Sequence, residues 1–136
     1  MTYQEISLPA YEVSEAIASL ELLAKYPIKG HRFALMLNLA ALKDLSRELG
    51  KVREKLEEEH LAKDEAGDFI RQTRPDGSES LQLEDPIAYR EALAELLNEE
   101  ELIRIRLIPE DALESTDAPA SAFWLPMIAE YHELEE

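Results

Sequence analysis

The stretch that decides the fold is residues 31–63, HRFALMLNLAALKDLSRELGKVREKLEEEHLAK. Leucine recurs in it every seven residues, which keeps one apolar seam along a helix; these leucines are Leu35, Leu42, Leu49 and Leu56. The first half is apolar well beyond this seam, whereas the second half is apolar along the seam alone. We therefore predict one long helix over 30–63 that begins inside the core and ends as an exposed amphipathic arm. Gly50 within it costs about 1 kcal/mol relative to alanine, which a close helix crossing at that point would explain.

A line of basic residues follows the outer side of this helix at intervals of four. These residues are Lys43, Arg47, Lys51 and Lys55, and acidic residues flank them. Such a pattern is most often a solvated face held by ion pairs within the helix. The alternative is a docking strip for an acidic surface, so the four are candidate partner-binding residues.

Charge is distributed unevenly along the chain, whose net charge is −16. Residues 79–136 carry 16 acidic and 3 basic residues. An acidic surface repels phosphate backbones and attracts basic protein surfaces. We therefore expect no direct nucleic-acid binding and a protein partner with a basic surface, although solubility alone is the simpler explanation. Further candidate partner-binding residues are Glu99, Glu100 and Glu101.

The length of 136 residues suits one core, and we predict a single domain over 1–136. No apolar run reaches the roughly 20 residues that a membrane span requires, and the N-terminus lacks the features of a secretory signal. We expect neither a membrane span nor a leader. Cysteine is absent, which excludes disulfides, thiolate metal sites and a cysteine nucleophile, and fits a reducing compartment.

The first part of the chain, 1–29, predicts a strand followed by a helix. Apolar and polar residues alternate over Tyr3–Leu8, as in a half-buried strand. The helix opens at Pro9 and stops at Pro27. Because a short link joins it to 30–63, we expect the two helices to form an antiparallel hairpin.

The middle of the chain predicts a β-hairpin and a helix. The turn chemistry of Arg74-Pro75-Asp76-Gly77 predicts a hairpin over 68–84. Asp85-Pro86 is typical of a helix start, and we predict a helix over 85–98.

The last part predicts a strand and a closing helix. Strict alternation indicates a strand over 101–108, which we expect in one small antiparallel sheet with the hairpin, with Tyr3–Leu8 as a further candidate neighbour. An apolar face predicts a C-terminal helix over 119–134, which Pro126 must kink. The predicted fold class is therefore α+β, mainly helical.

The sequence shows no catalytic signature. The three histidines, His31, His60 and His132, do not pair at helical spacing, and no metalloprotease, hydrolase or phosphate-loop motif occurs. We predict no enzyme activity, no metal and no cofactor. The aromatic cluster of Phe123, Trp124 and Tyr131 suits a core, but any exposed part of it would anchor a partner.

Four short motifs follow one another in a recognisable order. They are Lys63-Asp64-Glu65-Ala66-Gly67, Asp76-Gly77, Glu95-Leu96-Leu97-Asn98-Glu99 and Met127-Ile128-Ala129-Glu130. With them, the chain from Arg32 to its end resembles a family of small phage-encoded proteins of unknown function, sometimes described as minor phage structural proteins. The resemblance implies a phage protein that acts through protein contacts in the host bacterial cytoplasm or in the virion.

These observations support two main hypotheses. The first is a phage-encoded, non-enzymatic protein-binding module that assists virion assembly or binds a host protein. The alternative is an acidic inhibitor that imitates nucleic acid and binds a host nuclease, polymerase or defence complex. A carboxylate–metal enzyme is a third, weaker alternative, and a homodimer could form through the Leu42–Leu56 seam.

Overall fold

The computed structural model describes residues 3–28, 30–114 and 116–128. Its elements are β1 (Tyr3–Pro9), α1 (Val13–Leu23), α2 (Arg32–Glu59), β2 (Arg71–Thr73), β3 (Glu79–Leu81), α3 (Pro86–Asn98), β4 (Glu100–Arg106) and α4 (Glu110–Glu114). Single 3₁₀ turns occur at Ala10–Glu12, Ala120–Ala122 and Leu125–Met127. The predicted α+β, mainly helical class with one long central helix is confirmed. Within the described ranges, no helix is both long and apolar enough to cross a membrane.

The chain divides into two compact units, which we describe separately. The first unit comprises Met1–Arg47 and Glu99–Glu136, and the second comprises Glu48–Asn98. Helix α2 contributes its apolar first half to the first unit and its amphipathic second half to the second. The prediction of a single domain stays a prediction.

In the first unit, β1 and β4 form a two-stranded antiparallel sheet. Tyr3 lies opposite Arg106 and Ile6 lies opposite Ile103 in the register. The sheet buries Leu8 of β1 and Ile103 and Ile105 of β4 on one face, as its alternating sequence pattern requires. The buried residues of this core include Leu8, Leu20, Leu23, Leu35, Leu39, Leu42, Ile103 and Ile105.

The predicted pairing of the later strand with the hairpin was wrong, whereas its further candidate neighbour, Tyr3–Leu8, is its partner. In the structure β4 pairs with β1, and the hairpin strands β2 and β3 form a separate two-stranded sheet. The two strands of the first sheet meet because β1 buries Leu8 and β4 buries Ile103 and Ile105 in one apolar layer. The hairpin strands bury no side chain fully, so they offer β4 no comparable apolar face.

Asn38 is the only polar residue buried in the described chain. Its side-chain oxygen accepts a hydrogen bond from the Arg106 main-chain N–H at 2.6 Å. Its side-chain nitrogen donates to the Arg106 carbonyl at 2.9 Å. The Asn38 amide therefore makes the two hydrogen bonds that a neighbouring strand would make, and it links α2 to the outer edge of β4.

Two side-chain contacts link α2 to α1 and to the turn that follows α1. Arg32 donates from Nη1 to the Ala24 carbonyl at 3.1 Å, just beyond the end of α1. Lys43 forms an ion pair with Glu21 at 3.2 Å. Helix α2 is shorter than predicted and ends at Glu59, where His60 Nδ1 lies 2.8 Å from the Leu56 carbonyl.

The second unit contains the predicted hairpin and the helix that follows it. The Gly77 N–H donates to the Arg74 carbonyl at 2.9 Å, and Gly77 has a φ of 87° that favours glycine. Asp85 then caps α3, since its Oδ1 accepts from the main-chain N–H groups of Ile87 and Ala88 at 3.1 and 3.2 Å. The predicted close crossing at Gly50 was wrong, because a Cβ built there meets no described atom within 4 Å.

The predicted C-terminal helix is not an α-helix in the part that the structure describes. Two 3₁₀ turns at Ala120–Ala122 and Leu125–Met127 replace it, with extended backbone at Phe123 and Trp124. Pro126 lacks the N–H that a continuous helix needs, which explains the interruption. The segment ends in a parallel bridge, in which the Ile108 N–H donates to the Met127 carbonyl at 2.7 Å. Residues 129–134 of the prediction lie outside the described residues.

Candidate functional site

A shallow groove of about 270 Å³ lies in the first unit, between α1 with its preceding turn and the C-terminal 3₁₀ turns. Its lining combines acidic, small and apolar side chains. These residues are Glu12, Glu15, Ala16, Ser19, Phe123, Trp124, Leu125 and Pro126. It is the strongest candidate site because both charge and exposed apolar surface meet there.

Small residues bring the two walls of the groove together. Ala16 on α1 and Ala122 on the 3₁₀ turn are almost fully buried, so the backbones approach closely. The extended backbone after Ala122 then directs Phe123, Trp124 and Leu125 to the groove. Trp124 is only 9% exposed, whereas Leu125 is 56% exposed. The tryptophan therefore forms a fixed wall, and the leucine is free to contact a partner.

The charge of the groove is negative. Glu12 and Glu15 lie one helical turn apart, and within the described part of the chain neither forms an ion pair. Two free carboxylates beside apolar side chains favour a ligand that is both basic and apolar. Such a ligand matches the basic partner surface expected from the sequence.

The groove includes two of the three aromatic residues proposed as anchors. Phe123 is half-buried, and Trp124 is nearly buried at the wall. Tyr131 lies outside the described residues. Leu125, which the sequence reasoning did not single out, is the most exposed apolar residue of the groove.

The four basic candidates on α2 are exposed, and three of them are already paired. Lys43 pairs with Glu21 at 3.2 Å, Arg47 with Asp44 at 3.1 Å and Lys51 with Glu48 at 3.5 Å. Lys55 forms no ion pair with any described residue. Lys43 and Arg47 belong to the first unit, and Lys51 and Lys55 to the second. The pairing favours the solvated-face interpretation over a docking strip.

The three acidic candidates lie at the start of β4. Glu99, Glu100 and Glu101 are exposed. The Glu99 carbonyl accepts from the Ala10 N–H at 2.9 Å, and the Glu100 carboxylate accepts from the Ser7 hydroxyl at 3.1 Å. None of the three lines the groove, so the structure does not bring them together with Phe123 and Trp124.

The seam proposed for a homodimer is partly used by the core. Leu42 is fully buried in the first unit. In the second unit Leu49 and Leu56 are half-buried, and Val52 is 50% exposed. Only the second half of the seam is therefore accessible.

The second unit contains two open polar clefts. One of about 460 Å³ is lined in part by Glu57, Arg74 and Glu84. The other, of about 380 Å³, includes Glu58, Glu59 and Lys63. Across 3–28, 30–114 and 116–128, no three histidine, aspartate or glutamate side chains are grouped closely enough to hold a metal ion.

One carboxyl of the second unit has a shifted pKa. The Ser78 hydroxyl donates to Asp76 Oδ1 at 2.6 Å, and the Ser78 N–H donates to the same oxygen at 2.9 Å. These hydrogen bonds, led by that of the hydroxyl, lower the pKa of Asp76 below its ordinary value. The pair stabilises the hairpin turn, so the shift has a structural cause.

Sequence reasoning missed a cation–aromatic group on the outer face of the β1–β4 sheet. Arg104 and Arg106 lie 4.5 and 3.4 Å from the centre of the Tyr3 ring. Alternation along β4 places the two arginines on one face, but it does not identify the opposing strand. No family model, curated protein or solved structure matches the chain.

Proposed function

We propose that this chain is a non-enzymatic protein-binding module whose groove takes a basic, apolar segment of a partner protein. The observation that carries the proposal is the meeting of the unpaired Glu12 and Glu15 carboxylates with the exposed Leu125 beside Trp124. Tryptophan is enriched among the residues that carry most of the affinity at protein interfaces, and burying an exposed apolar side chain such as Leu125 adds to it. Carboxylates at the rim supply attraction and orientation.

The biological setting of the proposal is a phage protein in the host bacterial cytoplasm or the virion. It is supported by the sequence resemblance that begins at Arg32. In that setting the partner is either a host protein or a component of virion assembly. The chemistry of the groove requires only that the partner present lysine or arginine next to leucine-like side chains.

A fluorescently labelled peptide in which leucine and lysine alternate tests the groove directly. The peptide contains no tryptophan. We expect it to bind the full chain, with fluorescence anisotropy as the readout. Leu125→Gln removes apolar contact worth on the order of 1 kcal/mol, which weakens Kd about five- to tenfold. Glu12→Gln with Glu15→Gln weakens binding at low salt and flattens its salt dependence.

Matched variants in the second unit serve as controls. Ile87 is 67% exposed on α3, so Ile87→Gln makes the same chemical change away from the groove. Glu91→Gln with Glu95→Gln removes two exposed carboxylates there. Peptide binding that is lost equally in the control and groove variants would contradict the proposal.

The nucleic-acid-mimicking inhibitor of a host nuclease, polymerase or defence complex is the second candidate. It is favoured by two exposed carboxylates one helical turn apart on α3 in the second unit, at Glu91 and Glu95. A mimic would bind its basic target through many charges, and its affinity would fall steeply with salt. It would tolerate Leu125→Gln and lose binding in Glu91→Gln/Glu95→Gln, which is the reverse of the groove's behaviour.

A further inference from the structure

The outer face of the β1–β4 sheet carries a compact cationic patch. Arg106 stacks on Tyr3 with its guanidinium carbon 3.4 Å from the ring centre, and Arg104 lies over the same ring at 4.5 Å. Tyr3 is opposite Arg106 in the register and diagonal to Arg104. Leu102, two residues before Arg104 on the same face, is 70% exposed. We refer to Tyr3, Leu102, Arg104 and Arg106 as the cationic face.

The charges of this face are unusual for their surroundings. Residues 79–136 contain 3 basic residues, and two of them lie here. Among the described residues, neither arginine forms an ion pair, whereas Lys43 and Arg47 on α2 do. Glu5 lies opposite Arg104 in the register, yet the guanidinium is placed over Tyr3. Two positive groups therefore remain available to an external anion.

The cationic face is also held in place. Both main-chain polar groups of Arg106 are bound by the buried Asn38, at 2.6 and 2.9 Å. The Tyr3 ring restricts both guanidinium groups by cation–π contact. Side chains fixed before binding lose less conformational entropy when a ligand arrives.

We propose that the cationic face docks an extended acidic segment of a partner protein, with carboxylates at alternate positions. Arg104 and Arg106 are two residues apart on a strand, which places their side chains about 7 Å apart. An extended segment repeats its side chains on one face at the same spacing, so two alternate glutamates match two arginines. The exposed Leu102 accepts an apolar side chain at the next alternate position.

A carboxylate segment fits this face better than a nucleic acid does. Glu5 and Glu100 lie on the same face, and Ser7 donates to the Glu100 carboxylate at 3.1 Å. A continuous phosphate backbone would pass these carboxylates as well as the arginines. A short peptide with two carboxylates meets Glu5 beside Arg104 but ends before Glu100. The face shares no residue with the Glu12–Trp124 groove, so this docking is independent of the proposed function.

The test uses a labelled synthetic peptide with glutamates at two alternate positions and a leucine two residues later. We expect the full chain to bind it at low salt, with anisotropy as the readout. Arg104→Gln/Arg106→Gln should weaken Kd about tenfold, since exposed ion pairs contribute up to roughly 1 kcal/mol each. Arg90→Gln, which neutralises the third base of residues 79–136, should change Kd less than about twofold. Unchanged circular dichroism confirms that the variants fold.

Three results would overturn the proposal. One is an absence of binding to the wild-type chain at low salt and millimolar peptide. Another is equal binding of a control peptide in which both glutamates are glutamines. The third is a single-stranded oligonucleotide that binds more tightly than the peptide and loses binding in Arg104→Gln/Arg106→Gln. These results do not depend on the outcome of the groove assay, because the Arg104→Gln/Arg106→Gln variant alters no groove residue.

Discussion

Replacing Asn38 by alanine should destabilise the first unit more than any other polar substitution in the described chain. Asn38 is 1% exposed, and its amide satisfies both the N–H and the carbonyl of Arg106. Asn38→Ala removes both partners at once. The Arg106 N–H and carbonyl are then left without these partners in a part-buried site.

The magnitude follows from the cost of an unsatisfied buried polar group. Each such group costs about 1–3 kcal/mol, so two cost about 3 kcal/mol when partial relaxation is allowed for. A typical domain unfolds with about 5–15 kcal/mol, which makes this a large share of the total. For a chain of this size, we expect Tm to fall by about 10 °C.

Urea unfolding followed by circular dichroism gives the free energy of unfolding, and amide hydrogen exchange at Arg106 reports the site itself. Asn98→Ala is the matched control, since it deletes the same side chain from an exposed position whose Nδ2 donates to the Ala94 carbonyl at 2.9 Å. The control should change the free energy by less than about 0.5 kcal/mol. An Asn38→Ala protein as stable as the control, with its Arg106 amide still protected, would refute the reasoning.

Asn38→Asp extends the same reasoning to pH. One carboxyl oxygen would still accept from the Arg106 N–H, but the other would face the Arg106 carbonyl, which needs a donor. Burial and this carbonyl raise the pKa of the introduced carboxyl above the value of about 3.9 found in unfolded chains. Its protonated form can donate, so the stability of Asn38→Asp relative to the wild type should be greatest below about pH 4 and should fall as pH rises through the raised pKa.

Three further predictions concern the second unit. Gly50 lies in α2 with open space around it, so Gly50→Ala should raise the free energy of unfolding by about 0.5–1 kcal/mol. Gly77→Ala should lower it by about 1 kcal/mol, because Gly77 has a φ of 87°; equal effects of the two changes would contradict this explanation. Ser78→Ala removes the main hydrogen bond that lowers the pKa of Asp76 and should raise that pKa toward its ordinary value, as carbon-13 NMR titration can measure. In the wild type the lowered pKa of Asp76 contributes stability at pH values above the unfolded-state pKa, and this contribution is lost as pH falls. If the pKa of Asp76 were the same in Ser78→Ala as in the wild type, the Ser78 hydroxyl would not be the cause of the shift.

Local sequence signals predicted most of the elements correctly. The seven-residue leucine repeat predicted α2, Asp85 predicted the start of α3, and Arg74–Gly77 predicted the hairpin turn. Each of these signals depends on residues close in sequence, whose chemistry fixes the backbone directly. The ends of these elements were predicted less well. Helix α2, for example, ends at Glu59 and not at residue 63, because tertiary contacts decide where a helix stops.

Long-range arrangement could not be predicted in the same way. Alternation shows that β4 is a strand, but it does not show that β1 rather than the hairpin is its neighbour. The apolar spacing around Trp124 suits a helix, yet Pro126 leaves only two short 3₁₀ turns in the described part. Asn38 looked like one residue of an apolar helix, and its role depends on Arg106, far away in the chain.

The candidate site was predicted in part. Phe123 and Trp124 were proposed as anchors, and both line the groove. Their acidic neighbours Glu12 and Glu15 were not found, since α1 and the C-terminal turns are joined only by folding. The arginines of β4 were assigned to one face, but Tyr3 could be added only when the register was known.

The most direct test of the groove uses Trp124, the only tryptophan of the chain. Its indole N–H gives one isolated signal in a nitrogen–proton correlation spectrum of the full chain. On titration with the leucine–lysine peptide, we predict saturable shifts of this signal and of the Glu12, Glu15 and Leu125 amides, with Arg104 and Ile87 unaffected. A peptide that binds while the Trp124 signal stays still would contradict the account.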